Sequence, residues 1–419
     1  MYFADKRFQT IEGDDTPAGK VKPALDPKKI ETAKGPAYYQ TNNQQTEFIS
    51  AGKAGEEFCN KFNYEGFRYV IVQGLPVKPA LGDAEALFIE SDLEPVGSFE
   101  CSNALFNRIH QVNLWTIRCL NLGGYMVDCP HRERMGYGDG QNGIDSHIMN
   151  LDASAFYGKW AVDWLDVQNP VTGKSAQFAP KNDDPSCWFL WGGMVDVMPW
   201  KAYNYYGDRR LLDRAYEAMV RYPAKYIDSF YTAGGIQQTG GDAGCDWVTP
   251  SNGMSAPPGT DLFVNCYRVY LSDLLAKSAD VLGRTDEAKR HRARSQELKA
   301  LIHSAYYKAN ETIYDSDRQL SQAMPLLMGV VPDALREPVL KQLEEIVMVK
   351  NKGHLDTGML GTYFLIQSLQ EAGRSDLLYT IFNQQTYPGW GYMLSQGATT
   401  FWEQWNGSWS QIHSCYVSP

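Results

Sequence analysis

Phe67, Tyr69 and Ile71 alternate with Arg68, Val70 and Val72, and the run stops at Gly74-Leu75-Pro76. A period of two closed by Gly-Pro punctuation predicts a strand. Residues 86–89 and 96–99 predict two more. Residues 1–98 therefore read as irregular structure with strands, part of a β-sandwich short of a full complement. From Ser102 the period changes. Leu105, Ile109, Val112, Trp115 and Cys119 keep helical spacing, with Ser102 as the N-cap. Helical patterns recur over 143–166, 187–206, 208–230, 262–283, 285–307, 318–329, 332–348, 357–372 and 374–386. Asp208, Thr285 and Ser375 suit N-caps, and Gly207, Gly283 and Gly373 suit helix ends. Tyr267, Tyr270, Leu274, Ser278 and Val281 make one core-facing stripe. Ten helices, mostly in pairs joined by short turns, predict α-hairpins around a common axis over 99–419.

The connections between pairs are unusual. Residues 128–140 hold three carboxylates, two arginines and three glycines between Asp128 and Gly140. Folding alone gives no reason to crowd acids and arginines between glycines. An active site does: glycines let the backbone turn sharply, and arginines offset carboxylate repulsion. Two further long loops carry Gly240-Gly241-Asp242-Ala243-Gly244-Cys245-Asp246-Trp247 and Thr399-Thr400-Phe401-Trp402-Glu403-Gln404-Trp405. Long loops rich in Trp, Gly and acids are usually functional in a compact domain.

Composition narrows the chemistry. The formal net charge is −10, with no Lys/Arg block, which argues against a phosphate-backbone partner. No apolar run reaches the length of a membrane span, and the polar residues 1–29 show no signal-peptide core, so the compartment stays open. The 11 Trp and 25 Tyr suit a sugar cleft but also suit a large core. The eight cysteines include no CxxC pair, which argues against a zinc motif and a dense disulfide framework. Cys129 and Cys245 sit beside candidate site residues, but neither has a clear histidine partner, so thiol nucleophilic chemistry is disfavoured.

Several motifs, in one order, resemble the bacterial α-L-rhamnosidases of glycoside hydrolase family 78. They are Gly66-Phe67-Arg68-Tyr69-Val70, Asp128-Cys129-Pro130-His131-Arg132-Glu133-Arg134, Trp191-Gly192 with Pro199-Trp200, and Asp246-Trp247. Gly353-His354-Leu355, Thr357-Gly358, Gly391-Tyr392-Met393 and Gln396-Gly397-Ala398-Thr399-Thr400-Phe401-Trp402-Glu403 follow. The resemblance implies a mainly α, six-hairpin (α/α)₆ barrel and an inverting two-carboxylate hydrolysis of terminal α-L-rhamnosides; no cofactor and no metal-ligating residues are assigned, and a bound metal is not readable from the sequence. It places the general acid on Glu133 and the general base on Glu403. It puts sugar-hydroxyl contacts on Asp128 and Asp139, pocket walls on Trp191 and Trp247, and a further contact on His413. Arg132 and Asp246, inside the matching motifs, join the substrate-binding candidates.

The sequence departs from the family pattern in places. Many members carry one more residue between the two arginines, and Trp where this chain has Tyr137. A second expectation concerns the arginines: a general acid must stay protonated, so Arg132 and Arg134 are expected to point away from Glu133 and hold its loop. An (α/α)₆ barrel needs twelve helices against the ten counted, so the chain reads as a fragment or a short relative, with its last helices missing and reduced stability. Two rival functions remain open: another inverting (α/α)₆ glycosidase, and a rhamnose-binding protein without turnover.

Overall fold

The computed structural model describes residues 2–4, 46–72, 74–131, 134–180, 188–230, 235–236 and 244–418. It is mainly helical. The helices are α1 (Ala104–Leu120), α2 (Ile144–Asn150), α3 (Ser154–Val167), α4 (Met194–Tyr206), α5 (Arg209–Arg221) and α6 (Thr260–Leu282). They continue with α7 (Thr285–Tyr306), α8 (Gln319–Leu327), α9 (Asp333–Glu345), α10 (Met359–Glu371), α11 (Ser375–Phe382) and α12 (Trp390–Ser395). Three two-stranded antiparallel sheets complete the described elements: β1 (Tyr2–Ala4) with β2 (Tyr69–Ile71), β3 (Asn121–Leu122) with β4 (Tyr125–Met126), and β5 (Tyr307–Lys308) with β6 (Ile313–Tyr314). No described helix is long and apolar enough to cross a membrane.

The helices pair as hairpins, α4 with α5, α6 with α7, α8 with α9, and α10 with α11. Their burial separates them into two layers. In α10 every residue from Met359 to Leu365 is buried, and α6 is buried on most sides. In α7 the buried residues are Ala288, Ser295, Leu298 and Ile302, a single stripe at helical spacing. An element buried all round lies in the core, and one with a single apolar stripe covers it. The inner helices α4, α6, α8 and α10 pack on one another in sequence order, which leaves the connecting loops gathered at the barrel's ends.

Local chemistry explains several boundaries. Asp208 caps α5 by accepting from the Arg210 and Leu211 amides, as expected. Gly207 and Gly283 close α4 and α6 in the left-handed region, at φ 71° and 78°. The cap of α1 is Asn103 rather than Ser102: its side chain accepts from the Leu105 amide. Thr285 and Ser375 are first helical residues, not caps. The expected 143–166 helix is broken at Leu151, which is extended and ends α2. That break, and α12, raise the count from the expected ten to twelve helices of six or more residues among those described.

Strand expectations fared less well. Only 69–71 of the predicted runs is a strand, in register Tyr2↔Ile71, Phe3↔Val70 and Ala4↔Tyr69. Residues 86–89 form none. The Val96 and Gly97 amides instead donate to the Asn150 carbonyl at the end of α2. The segment 46–103 runs along the helical body and exposes many apolar side chains, Phe62, Val77 and Leu81 among them.

Candidate active site

Three loops bring acids together. After β4 the chain passes through Asp128 and returns through Gly136, which bridges to Val127. It then enters a 3₁₀ turn, Gly138–Asn142, that carries Asp139. The turn sits against Trp191: a Cβ on Gly138 would lie 2.6 Å from the Trp191 carbonyl, so only glycine permits this approach. Trp191 Nε1 in turn donates to Asp139 Oδ1. Behind them the buried Tyr267 hydroxyl donates to Gln141 Oε1 at 2.8 Å, and Gln141 Nε2 donates to the Leu190 carbonyl at 2.8 Å, locking the Asp139 turn to the Trp191 segment.

Glu403 comes from the last loop. That loop folds back on itself: the His413 amide donates to the Phe401 carbonyl at 3.0 Å, and the Glu403 amide donates to the Ser410 carbonyl at 2.9 Å. The Ser410 amide also donates to Glu403 Oε2 at 3.3 Å. Gly407, at φ 79°, makes the reversal, and a Cβ there would meet the Trp402 ring at 2.8 Å. Large aromatics fasten the base of the loop. Trp405 Nε1 donates to the Thr357 carbonyl, Trp390 Nε1 to the Tyr416 carbonyl, and the Tyr416 hydroxyl to the Val248 carbonyl.

The acids converge on His413. Its Nε2 lies 3.7 Å from Asp128 Oδ2 and 4.0 Å from Glu403 Oε2, and its Nδ1 lies 4.0 Å from Asp139 Oδ2. All four side chains are buried. The Cys415 amide donates to Nδ1 at 3.2 Å, so in the neutral ring the proton sits on Nε2, facing Asp128 and Glu403. The structure therefore brings Asp128, Asp139, Trp191, Glu403 and His413 of the expected set together. Glu133 and Arg132 lie outside the described residues. Arg134 pairs with Glu65 Oε2 at 2.7 Å and Asn63 Oδ1 at 2.7 Å, and so ties the 128–139 loop to the segment before the barrel.

Asp246 is placed otherwise than expected. Its two oxygens accept from the Gly358 and Gly361 amides, each at 2.7 Å, at the N-terminus of α10. A helix start offers unsatisfied N–H groups, so a buried carboxylate one loop away is drawn to them. Burial still pushes the Asp246 carboxyl up to about 6, against those two donors. Its neighbour Trp247 is half-buried and lies 5.5 Å, ring to ring, from Trp188, which lies 5.0 Å from Trp191. Trp188 thus links the two expected tryptophans. It was missed, although it stands three residues before Trp191 in the same segment. His131, buried, contacts Ser410 Oγ at 3.0 Å and joins the acid-bearing loop to the Glu403 loop. Cys129 and Cys415 flank His413. No sequence spacing linked these residues, because 128–131 and 403–415 meet only in the fold.

The bacterial alpha-L-rhamnosidase 6 hairpin glycosidase domain profile matches residues 94–418, and the bacterial alpha-L-rhamnosidase concanavalin-like domain profile matches 28–90. An alpha-L-rhamnosidase of Formosa agariphila is 31% identical over 385 residues, covering 85% of this chain and 39% of that protein. The alpha-L-rhamnosidase structure from Dictyoglumus thermophilum superposes with a TM-score of 0.75 at 29% identity, covering 82% of this chain and 39% of that one. The Streptomyces avermitilis alpha-L-rhamnosidase complexed with L-rhamnose gives a TM-score of 0.71 at 27% identity, over 78% of this chain and 32% of that one. The chain thus spans about two fifths of the length of the curated relatives it matches.

Proposed function

The chain belongs to the bacterial α-L-rhamnosidase family of six-hairpin glycosidases, and from that premise we propose that it hydrolyses terminal α-L-rhamnosides with inversion of the anomeric carbon. The convergence of Asp128, Asp139 and Glu403 on His413, beside the Trp188–Trp191–Trp247 cluster, carries this reading. Inversion needs two carboxyl groups, roughly 6.5–9.5 Å apart, with room for a water between sugar and base. Glu133 donates its proton to the leaving oxygen. Glu403, held by the Ser410 backbone, takes a proton from the attacking water. Asp128, Arg132 and Asp139 hold ring hydroxyls, and His413 spaces the carboxylates. The indole faces receive the C–H face and methyl group of a 6-deoxy sugar. Asp246 acts here through the loop it fastens, setting Trp247 in place. The same reading divides the chain into an N-terminal part, 1–98, that supports the acid loop through Glu65 and Asn63, and a catalytic barrel, 99–419.

The test is hydrolysis of p-nitrophenyl α-L-rhamnoside by this chain, Glu133→Gln and Glu403→Gln, with the first-formed anomer read by NMR. The expected result is β-L-rhamnose as the first product and a loss of roughly 10²–10⁴ in kcat in each variant. Retention of configuration overturns the inverting assignment. Rhamnose binding without turnover in the parent chain favours a sugar-binding protein instead.

A further inference from the structure

The residues around His413 carry a second chemistry. Asp139, His413 and Cys415 each turn one ligand-type atom to a common point, all within 4.8 Å of one another, and Asp128, Cys129 and His413 do the same on the other side of the ring. All five residues are buried. Tetrahedral zinc, with nitrogen and oxygen ligands at about 2.0–2.2 Å and sulfur at about 2.3 Å, sets its ligands about 3.3–3.8 Å apart. The 4.0 Å between His413 Nδ1 and Asp139 Oδ2 is slightly longer than that spacing, and the three ligand atoms, within 4.8 Å of one another, draw together by up to about 1 Å to hold the ion.

The tautomer chooses between the two sides. Nδ1 already presents its lone pair, now to the Cys415 amide at 3.2 Å, whereas Nε2 bears the proton in the neutral ring. On the Nδ1 side a metal therefore displaces only that amide hydrogen bond to take up the lone pair. The Nε2–H then points to Asp128 Oδ2 and Glu403 Oε2, as carboxylates orient ligating histidines in zinc proteins. Asp139 Oδ1 accepts from Trp191, and Oδ2 lies 4.0 Å from His413 Nδ1.

We propose that Asp139, His413 Nδ1 and Cys415 form a binding site for a thiophilic divalent cation, zinc by ligand type, whose occupancy blocks the sugar site. On binding, the Cys415 thiol loses its proton to solvent and the sulfur–metal bond forms. Inhibition rests on the reading of Asp139 as a sugar-hydroxyl contact; the metal site itself does not.

Cobalt(II) tests it without reference to turnover. Titrated into the intact chain, cobalt should give a near-ultraviolet thiolate-to-metal charge-transfer band that stoichiometric zinc abolishes. The band should persist in Cys129→Ala and vanish in Cys415→Ala, with zinc affinity falling at least roughly tenfold. Asp139→Asn, which keeps side-chain shape, should weaken zinc binding as well and guards against a misfolded cysteine variant. No band in the parent, or a band that survives Cys415→Ala, overturns the proposal, and so does loss confined to Cys129→Ala. L-rhamnose should raise the apparent dissociation constant for cobalt. Cobalt binding indifferent to rhamnose upholds the metal site and overturns the sugar reading of Asp139.

Discussion

Two buried clusters of ionisable groups in this barrel follow opposite rules. Midway along the helices, Asp145 of α2 meets Lys201 of α4 through both oxygens at 2.7 Å, and the Tyr363 hydroxyl of α10 donates to it at 2.7 Å. One acid has one base and the neutral hydroxyls of Tyr363 and Tyr205, and three helices are tied together. At the loop cluster three carboxylates gather, and among the described residues the one basic group within 4 Å of them is a single histidine. Crowded carboxylates repel, and burial makes the repulsion stronger. The first cluster is what folding selects. In the proposed reading the second trades stability for chemistry that needs the acids, as active sites do.

The comparison breaks most sharply at Glu403. Glu403→Gln should remove roughly 10²–10⁴ of kcat, while its melting temperature stays equal to the parent's or rises, because one of three crowded charges has gone. A variant that is both inactive and clearly less stable would place Glu403 with the structural acids. Lys201→Met should do the reverse. It strands Asp145 in a mostly buried site and should cost roughly 3 kcal/mol in chemical denaturation. Adding Asp145→Asn to Lys201→Met should recover part of that loss, a coupling that a double-mutant cycle reads directly.

Asp196 sharpens the contrast, since it lies in the same wall as Lys201 but without an answer. It is fully buried on α4, neither carboxyl oxygen meets a donor among the described residues, and burial pushes its pKa well up. An acid whose folded pKa exceeds its unfolded value favours the fold only while protonated in both states. Stability then falls as pH rises above about 4, by about 1.4 kcal/mol per pH unit until the folded pKa is reached. Asp196→Asn should remove that slope, so its advantage over the parent should grow as pH rises above about 4. His147, buried, with its folded pKa depressed to about 3, adds a slope of opposite sign below pH 6.5. It is common to both proteins and cancels in the difference.

How much of this was visible in the sequence follows from the range of the forces involved. Helix position, the Asp208 cap and the Gly207 and Gly283 ends depend on neighbours within one or two turns, and they were legible. So was the grouping of Asp128, Asp139 and Glu403, but through matching motifs and not through spacing. What failed depends on partners distant in sequence. The alternation at 96–99 looked like a strand, yet its amides were taken by Asn150. Asp246 was matched to a sugar contact, and the two amides at the start of α10 that hold it were not visible in the sequence. Cys129 showed no histidine partner because that partner, His413, belongs to the final loop.

The smallest predicted effect probes how the two carboxylate loops are held in register. His131 stands two residues before Glu133 and touches Ser410 Oγ, while the Ser410 backbone brackets Glu403 on both its amide and its carboxylate. In the proposed reading the hydroxyl is thus a cross-brace between the loop of the acid and the loop of the base. Ser410→Ala removes the brace and keeps both backbone bonds to Glu403. A single hydrogen bond is worth about 1 kcal/mol, so kcat should fall by roughly fivefold at constant KM, since neither group contacts the bound sugar in this reading. Thr at position 410 restores a hydroxyl and should restore most of the rate. A change in KM alone would mean that Ser410 shapes the pocket and does not set the separation of the carboxylates, and the two loops would then be held in register by the aromatic anchors Trp405 and Tyr416.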